Sequence, residues 1–383
     1  MSVTSAQGFQ ASGVVAGLKA SGLADVALVV NTGPDFVAAG VFTANKIKAA
    51  PVIWSAQVLK SGELRVVALN SGGANACTGP QGFADTHRSA EYVAALLDCG
   101  AGEVAVCSTG LIGELLPMDK LLSGYDAAAA ALASDGGQAA AEAIMTTDTV
   151  AKTASVSMGE FTVGGMAKGA GMLAPGLATM LSVITTDAVV DASTLDVVLR
   201  EAVSTTFDRI DSDGCMSTND TVLLLASGAS GYNPTIEELQ SATTAVCKQL
   251  SRALIGDAEG SSKDIHIAIA GAASESDALT VARAISRSNL LKCAIHGEDP
   301  NWGRVISAAG TTNAEFEPDE IAVAINGIWV CRNGSVGEDR NLVDMSGREV
   351  VISVDLRAGD VGLSLWTNDL TADYVHENSA YST

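Results

Sequence analysis

The chain has 383 residues, of which 48% are hydrophobic, and this supports a sizeable core in two domains or one large sandwich. Its 22 basic residues are outnumbered by 44 acidic ones, so the formal net charge of −22 repels phosphate backbones and anionic lipid surfaces. Nucleic acids and membranes are therefore not expected as partners.

Cysteine usage and the N-terminal sequence predict a cytoplasmic protein. The seven cysteines are odd in number, widely spaced and without a Cys-x-x-Cys pair, which is typical of reduced thiols. The N-terminus lacks a basic segment followed by an apolar one, and no run of about 18 apolar residues occurs. The four histidines show no metal-binding spacing, so no metal site is expected.

The first half of the chain alternates strand-like runs with segments of helical periodicity. Strands are predicted at residues 25–30, 36–42, 65–69 and 103–107. Apolar residues at helical spacing predict a helix over residues 82–97, and the alanine-rich stretch 127–133 has high helix propensity. Both element types are therefore expected in this half.

The second half gives clearer signals. Thr235 and Glu238 form a capping box before an apolar stripe, which predicts an amphipathic helix of about 18 residues. Asp299 and Pro300 fit the N-cap and first position of another helix. Further helices are predicted at residues 193–203 and 275–287, and strands at 221–225, 264–270, 321–325, 350–354 and 362–366. The pattern indicates an α+β protein with helices packed on sheets.

One threonine, Thr179, follows a run of small and turn-forming residues that begins at Lys168. Pro175-Gly176 favours a tight turn, and little bulk surrounds the Ala178 carbonyl, so the Thr179 hydroxyl can approach that carbonyl. Attack there, an N-to-O acyl shift and hydrolysis would free Thr179 as an N-terminal nucleophile with its own amine as base. On these residues alone, an ordinary buried strand threonine is the commoner interpretation.

The whole run from residue 168 to 181 closely resembles the nucleophile signature of the ornithine acetyltransferase family, the glutamate N-acetyltransferases of the arginine pathway, which mature by self-cleavage. Other similar segments lie at residues 38–45, 70–79, 108–113, 145–149, 219–221, 256–260, 297–304 and 377–383. The resemblance implies an α+β fold, a layered αββα sandwich of N-terminal-nucleophile-like (DmpA/ArgJ-like) appearance with a smaller C-terminal lobe. It also implies cleavage between Ala178 and Thr179 into an α chain, 1–178, and a β chain, 179–383, that share one intertwined fold.

The resemblance assigns a role to each matching site residue. Thr179 would be the nucleophile, and Thr109 and Gly110 would form the oxyanion hole. Lys168 would bind the substrate carboxylate and Glu259 the substrate ammonium group. The full set of implied substrate-binding residues is Thr146, Lys168, Thr179, Glu259, Asn378 and Thr383. Without the resemblance, Thr109-Gly110 fits an ordinary turn and Glu259 an ordinary loop carboxylate.

The implied activity is the transfer of acetyl from N2-acetyl-L-ornithine to L-glutamate through an acetyl-Thr179 intermediate, in a ping-pong reaction without a cofactor. Acetyl-CoA is a possible co-substrate, which would add an amino-acid N-acetyltransferase activity. The α and β chains are expected to form an α2β2 heterotetramer. Two alternatives remain open: a self-cleaving amidase or aminopeptidase that passes the acyl group to water, and a non-catalytic small-molecule sensor with an intact chain.

Overall fold

Three β-sheets, with helices that cover them, form the fold. A computed structural model describes residues 2–174 and 180–380. The strands are β1 Phe9–Val14, β2 Val26–Asn31, β3 Val37–Phe42, β4 Val66–Asn70, β5 Val104–Ser108, β6 Lys152–Ser157, β7 Thr162–Lys168, β8 Leu181–Thr186, β9 Thr221–Ala226, β10 Asp264–Ala272, β11 Ala322–Ile325, β12 Ile328–Arg332, β13 Ser335–Val336, β14 Glu349–Asp355 and β15 Val361–Asn368. The helices are α1 Ala50–Val58, α2 Gly79–Leu96, α3 Met118–Ala130, α4 Gly137–Ala143, α5 Ala192–Thr205, α6 Ile236–Gly256, α7 Glu275–Ser286, α8 Asn289–His296, α9 Trp302–Ala309 and α10 Ala372–Ala380.

Two of the sheets pack face to face and form the centre of a sandwich. The first has the strand order β1-β2-β4-β5 and the second β3-β9-β8-β7-β6. Their inner faces share one buried apolar cluster, to which β2 contributes Val29 and β9 contributes Leu223. Helices α2 and α3 cover the outer face of the first sheet, and α5 and α6 cover that of the second. The predicted αββα sandwich is confirmed.

A smaller C-terminal lobe is built on the third sheet, with the strand order β13-β12-β11-β14-β10-β15. Helices α7, α8 and α9 pack against it through a separate apolar cluster that includes Val281, Ile295 and Val305. The Asp211 amide donates to the Trp366 carbonyl over 2.8 Å and joins the lobe to the sandwich. The predicted lobe is therefore also confirmed.

The two predicted chains contribute neighbouring strands to the second sheet. Strand β7 lies before the predicted cleavage site and β8 after it, and they pair antiparallel from Val163 opposite Thr186 to Lys168 opposite Leu181. Strand β8 also pairs in parallel with β9. Segments 1–178 and 179–383 are thus interleaved within one sheet.

Most of the predicted helices and strands are present, and the capping box of α6 is confirmed. The Thr235 hydroxyl accepts from the Glu238 amide over 3.2 Å, and the Glu238 carboxylate accepts from the Thr235 amide over 2.9 Å. The helix predicted from alanine content at 127–133 is only partly right, because α3 ends at Ala130. Ala133 instead exchanges two backbone hydrogen bonds with Ala11 of β1, so strand pairing overrides helix propensity there.

The predicted start of α9 was wrong by two residues. The N-cap is Asn301, whose side chain accepts from the Arg304 amide over 3.3 Å, and not Asp299. A tight backbone turn precedes the helix, in which the Trp302 amide donates to the Pro300 carbonyl over 3.0 Å. The Asp299 carboxylate accepts from Arg340 over 2.8 Å instead, so a contact distant in sequence replaces the predicted local cap.

Candidate active site

Six of the residues predicted for the site line a single cleft. They are Thr109, Gly110, Thr146, Lys168, Glu259 and Asn378. Thr109 and Gly110 follow β5, Thr146 follows α4 and Lys168 is the last residue of β7. Glu259 follows α6 and Asn378 lies on α10, so the fold gathers these residues from distant parts of the sequence. The other three predicted residues, Ala178, Thr179 and Thr383, lie outside the described residues.

Thr109 and Gly110 continue directly from strand β5. The Thr109 amide donates to the Asn70 carbonyl over 3.0 Å, so the group through which Thr109 can donate to a ligand is its hydroxyl and not its amide. Gly110 has φ +129, and a Cβ there would lie 2.9 Å from Gly73 Cα, so only glycine fits. Among the described residues, the Gly110 amide has no hydrogen-bond acceptor. An oxyanion hole at this position would therefore use the Thr109 hydroxyl and the Gly110 amide.

Lys168 ends strand β7 with its side chain buried, at 2% exposure. Its ammonium group donates to the Thr146 hydroxyl over 2.6 Å and to the Thr109 hydroxyl over 3.4 Å, and it lies 3.9 Å from Asp148. Burial lowers the pKa of Lys168, and the negative charge of Asp148 offsets part of that effect. A bound carboxylate would replace the lost solvation and stabilise the charged form.

Asp148 is a buried carboxylate that the sequence prediction missed. It accepts from the Lys152 ammonium over 2.6 Å, from the Gly169 amide over 2.6 Å and from the Thr146 amide over 3.0 Å. Burial acts to raise the pKa of Asp148, but the charges of Lys168 and Lys152 lower it to about 2. The ionised carboxylate holds the backbone of both Thr146 and Gly169, so it fixes the segments that flank Lys168. The sequence resemblance includes the segment 145–149 but implies a role only for Thr146.

Lys152 extends this buried network from Asp148 to Asp257. Its side chain is fully buried between Asp148 at 2.6 Å and Asp257 at 2.5 Å. Asp257 also accepts from the Thr149 amide over 3.0 Å. Because Asp257 lies two residues before Glu259, the network joins the loop that carries Thr146 to the loop that carries Glu259.

Glu259 faces the cleft from the loop after α6. Its carboxylate accepts from the Thr147 hydroxyl over 2.7 Å and from the Asn378 side-chain amide over 2.9 Å. Its own amide donates to the Ala170 carbonyl over 3.1 Å. A Cβ at Gly171 would lie 2.6 Å from the Glu259 carboxylate, so the absence of a side chain at 171 makes room for that carboxylate.

Helix α10 is attached to the loop that carries Glu259. The Thr371 hydroxyl donates to the Gly260 carbonyl over 2.6 Å and accepts from the Tyr374 amide over 2.9 Å. Gly260 has φ +58, and a Cβ there would lie 2.2 Å from the Tyr374 nitrogen. This close approach brings Asn378, about one turn beyond Tyr374 on α10, to Glu259.

A second cavity adjoins Thr109 and Gly110 and is lined in part by Asn219. The Asn219 side-chain amide donates to the Ala74 carbonyl over 2.6 Å and to the Ser108 carbonyl over 2.8 Å. It thereby fixes the start of β9 against the end of β5. The segment 219–221 is part of the sequence resemblance, but the resemblance implies no role for Asn219.

The cleft thus places a buried ammonium group, that of Lys168, and a carboxylate, that of Glu259, around one opening. These charges are complementary to a small molecule that carries both a carboxylate and an amine. Within residues 2–174 and 180–380, no group of three histidine, cysteine or acidic side chains is arranged to hold a metal ion.

Comparison with known proteins identifies the family. The family model described as the ArgJ family matches residues 10–383. The chain belongs to the ArgJ family. It is 67% identical to the arginine biosynthesis bifunctional protein ArgJ of Streptomyces coelicolor and 68% identical to that of Streptomyces avermitilis, in each case over 100% of both chains. The predicted family, acetyltransferases of arginine biosynthesis, is confirmed.

Two solved structures are similar to parts of this ArgJ chain. Ornithine acetyltransferase from Mycobacterium tuberculosis, in complex with ornithine, is 59% identical and covers 47% of this chain and 96% of its own, with a TM-score of 0.45. The arginine biosynthesis bifunctional protein argJ from Bacillus halodurans is 34% identical and covers 51% of this chain and 97% of its own, with a TM-score of 0.49.

Proposed function

We propose that this chain transfers the acetyl group of N2-acetylornithine to glutamate, with Thr179 as the acetyl carrier. The observation that supports this most directly is the pairing of Lys168 and Glu259 around one cleft. Lys168 binds the α-carboxylate, and Glu259 binds the free side-chain ammonium of acetylornithine. The first residues after Thr179 start β8, directly beside Lys168 at the end of β7.

The reaction runs in two acyl transfers. The Thr179 hydroxyl attacks the acetyl carbonyl, its proton passes to the Thr179 α-amine, and the tetrahedral oxyanion accepts from the Thr109 hydroxyl and the Gly110 amide. Collapse breaks the amide bond, and the protonated α-amine returns its proton to the leaving ornithine nitrogen. The neutral amine of glutamate then attacks the acetyl carbon, the bond from that carbon to the Thr179 oxygen breaks, and a proton of the attacking amine passes through the Thr179 α-amine to that oxygen, so N-acetylglutamate leaves and the hydroxyl is restored. No cofactor takes part in either transfer.

The nucleophile is released by cleavage between Ala178 and Thr179, which yields chains 1–178 and 179–383. The pairing of β7 with β8 would hold the two chains together after cleavage. We further propose an α2β2 assembly in the cytoplasm, and acetyl-CoA as a second acetyl donor. In the part of the chain that the structure describes, no helix has the length and apolar character needed to cross a membrane.

A denaturing gel and mass spectrometry test this function. The wild type should separate into two bands and gain one acetyl group on the fragment that begins at Thr179 when it is mixed with acetylornithine. Thr179→Ala should remain one band. Thr243→Ala is a matched control, because Thr243 is a buried threonine that also follows an alanine, and it should cleave and acetylate normally.

The same assay separates the alternatives. Continued turnover of acetylornithine in the absence of glutamate would identify an amidase. An intact wild-type chain that binds ligand without turnover would identify a sensor. A sequential kinetic pattern without acetyl-Thr179 would contradict the proposed mechanism.

A further inference from the structure

A second buried carboxyl, that of Asp220, lies at the start of β8 on the side opposite β7. Asp220 directly precedes β9 and is 0% exposed. Its Oδ1 accepts from the Met180 amide over 3.1 Å. The Met180 nitrogen is bonded to the carbonyl carbon of Thr179, so Asp220 contacts the peptide group that the predicted nucleophile shares with its neighbour.

The backbone around Asp220 holds this carboxyl in place. The Thr221 amide donates to the Met180 carbonyl over 3.1 Å, so the amide and the carbonyl of Met180 are both bonded to the pair 220–221. The Thr43 amide donates to the Asp220 carbonyl over 3.0 Å. Strands β8 and β9 then continue as a parallel pair from Leu181 opposite Thr221.

Asp220 differs from Asp148 in what surrounds its second oxygen. Among the described residues, Oδ2 of Asp220 has no partner with good hydrogen-bond geometry, and the neighbouring side chains are the Thr43 and Ser217 hydroxyls, not a paired cation. A carboxylate buried without a cation is unfavourable, and such a group takes up a proton. Burial raises the pKa of Asp220 well above its ordinary value, and the hydrogen bonds of the Met180 amide and of the Thr43 and Ser217 hydroxyls, together with the charge of Lys168, offset only part of this. In the protonated form of Asp220, Oδ2 is a hydrogen-bond donor.

We propose that Asp220 is a positioning residue for acyl transfer at Thr179. As a neutral carboxylic acid, Asp220 holds the Met180 amide with one oxygen and offers a hydrogen-bond donor at the start of β8 with the other. The inference rests on the proposed function of Thr179. After cleavage, Thr179 is a chain end whose only covalent link to the fold is its bond to Met180. The Asp220 hydrogen bond therefore fixes the anchor of the nucleophile, and a displacement of about 1 Å at a reacting group can cost about 100-fold in rate.

Two substitutions separate the neutral acid from a carboxylate. Asp220→Asn keeps one acceptor and one donor, as the neutral acid has, so kcat for acetyl transfer should stay within about threefold of the wild type. Asp220→Ala removes both, and kcat per acetylated site should fall about 100-fold while the KM of acetylornithine changes less than about twofold. Asp187→Asn is the matched control, because Asp187 is a buried aspartate that accepts from the Gln7 and Thr162 amides, and its kcat should not change.

An infrared difference spectrum of wild type against Asp220→Asn gives a readout that needs neither turnover nor the folding of the alanine variant. It should show the C=O band of a protonated carboxyl at neutral pH in the wild type. The proposal is overturned if that band is absent, if Asp220→Asn is as slow as Asp220→Ala, or if Asp220→Ala keeps the wild-type kcat. If the wild type itself forms no acetyl-Thr179, the proposed function fails, and the infrared band still decides the protonation state of Asp220.

Discussion

The two ends of the cleft are held in different ways. At the carboxylate end, Lys168 is buried beside Asp148, which is itself fixed by fully buried Lys152. At the ammonium end, Glu259 is held by a loop and by Asn378 on α10, a helix with no buried residue among those described. The first end is built into the sandwich core and the second is added at its surface. Substitutions at the first should therefore change stability as well as activity, and those at the second only substrate binding.

Lys152→Met should have the largest effect on stability, because it leaves Asp148 and Asp257 buried without their shared cation. Breaking a buried ion pair costs about 3 to 5 kcal/mol in the free energy of unfolding. Urea unfolding in a Thr179→Ala background, where one chain is expected to remain, measures this in a single-chain transition.

The control for Lys152→Met is an exposed ion pair. Arg200 and Asp196 lie 2.8 Å apart on α5, with the Arg200 side chain 60% exposed, and Arg200→Met should cost less than about 1 kcal/mol. If the two substitutions lowered the free energy of unfolding equally, the buried network would contribute no more to stability than an exposed ion pair, and the contrast between the two ends of the cleft would not hold.

Lys168→Met should reduce activity more than it reduces stability. Removal of one partner of a buried charge pair costs about 2 to 5 kcal/mol in binding, which predicts a fall of at least about 30-fold in kcat/KM for N2-acetylornithine. The protein should still fold, because Asp148 keeps its bonds to Lys152 and to two backbone amides.

A substrate without the carboxylate shows whether Lys168 acts as proposed. N-acetylputrescine is N2-acetylornithine without that group, so the wild type and Lys168→Met should use it at similar, low rates. An equal loss on both substrates would mean that Lys168 does not bind the carboxylate.

The difference between the two ends also explains what the sequence could predict. The capping box of α6 and six residues of the cleft lie in segments that are recognisable by themselves, and the six predicted site residues that the structure describes all line that cleft. The pair Lys152 and Asp257 is separated by 105 positions, and no local pattern links the two. Lys152 stands among small and β-branched residues, where an isolated lysine suggests a solvated side chain.

The requirement for glycine at position 260 could also not be predicted from the sequence. Its φ of +58 is a local property, but the clash that a Cβ would create is with the backbone of Tyr374 on α10. Helix α10 was not predicted, because its nine residues have no apolar stripe and bury no residue. Contacts between distant segments therefore set both the buried network and the attachment of this helix.

Acid titration should show the contribution of Asp148. Its pKa is lowered from 3.8 to about 2 in the folded protein, so its stabilising effect is complete above pH 3.8 and is lost as the pH falls towards 2. The shift corresponds to about 2 kcal/mol in the free energy of unfolding. Urea unfolding at several pH values should therefore give a shallower dependence for Asp148→Asn than for the wild type in this range. Identical slopes would contradict the assignment of an ionised Asp148.

The smallest effect is expected at the ammonium end, from Asn378→Ala. This substitution removes the hydrogen bond from Asn378 to Glu259, which contributes about 0.5 to 1.5 kcal/mol, or a factor of about 2 to 13. Since Asn378 is exposed, the free energy of unfolding should not change, and the loss should appear in the KM of acetylornithine with kcat retained. His376→Ala, an exposed change on the same helix, should leave both constants unchanged. A loss of stability in Asn378→Ala would show that α10 is part of the rigid framework, and the contrast between the two ends of the cleft would then not hold.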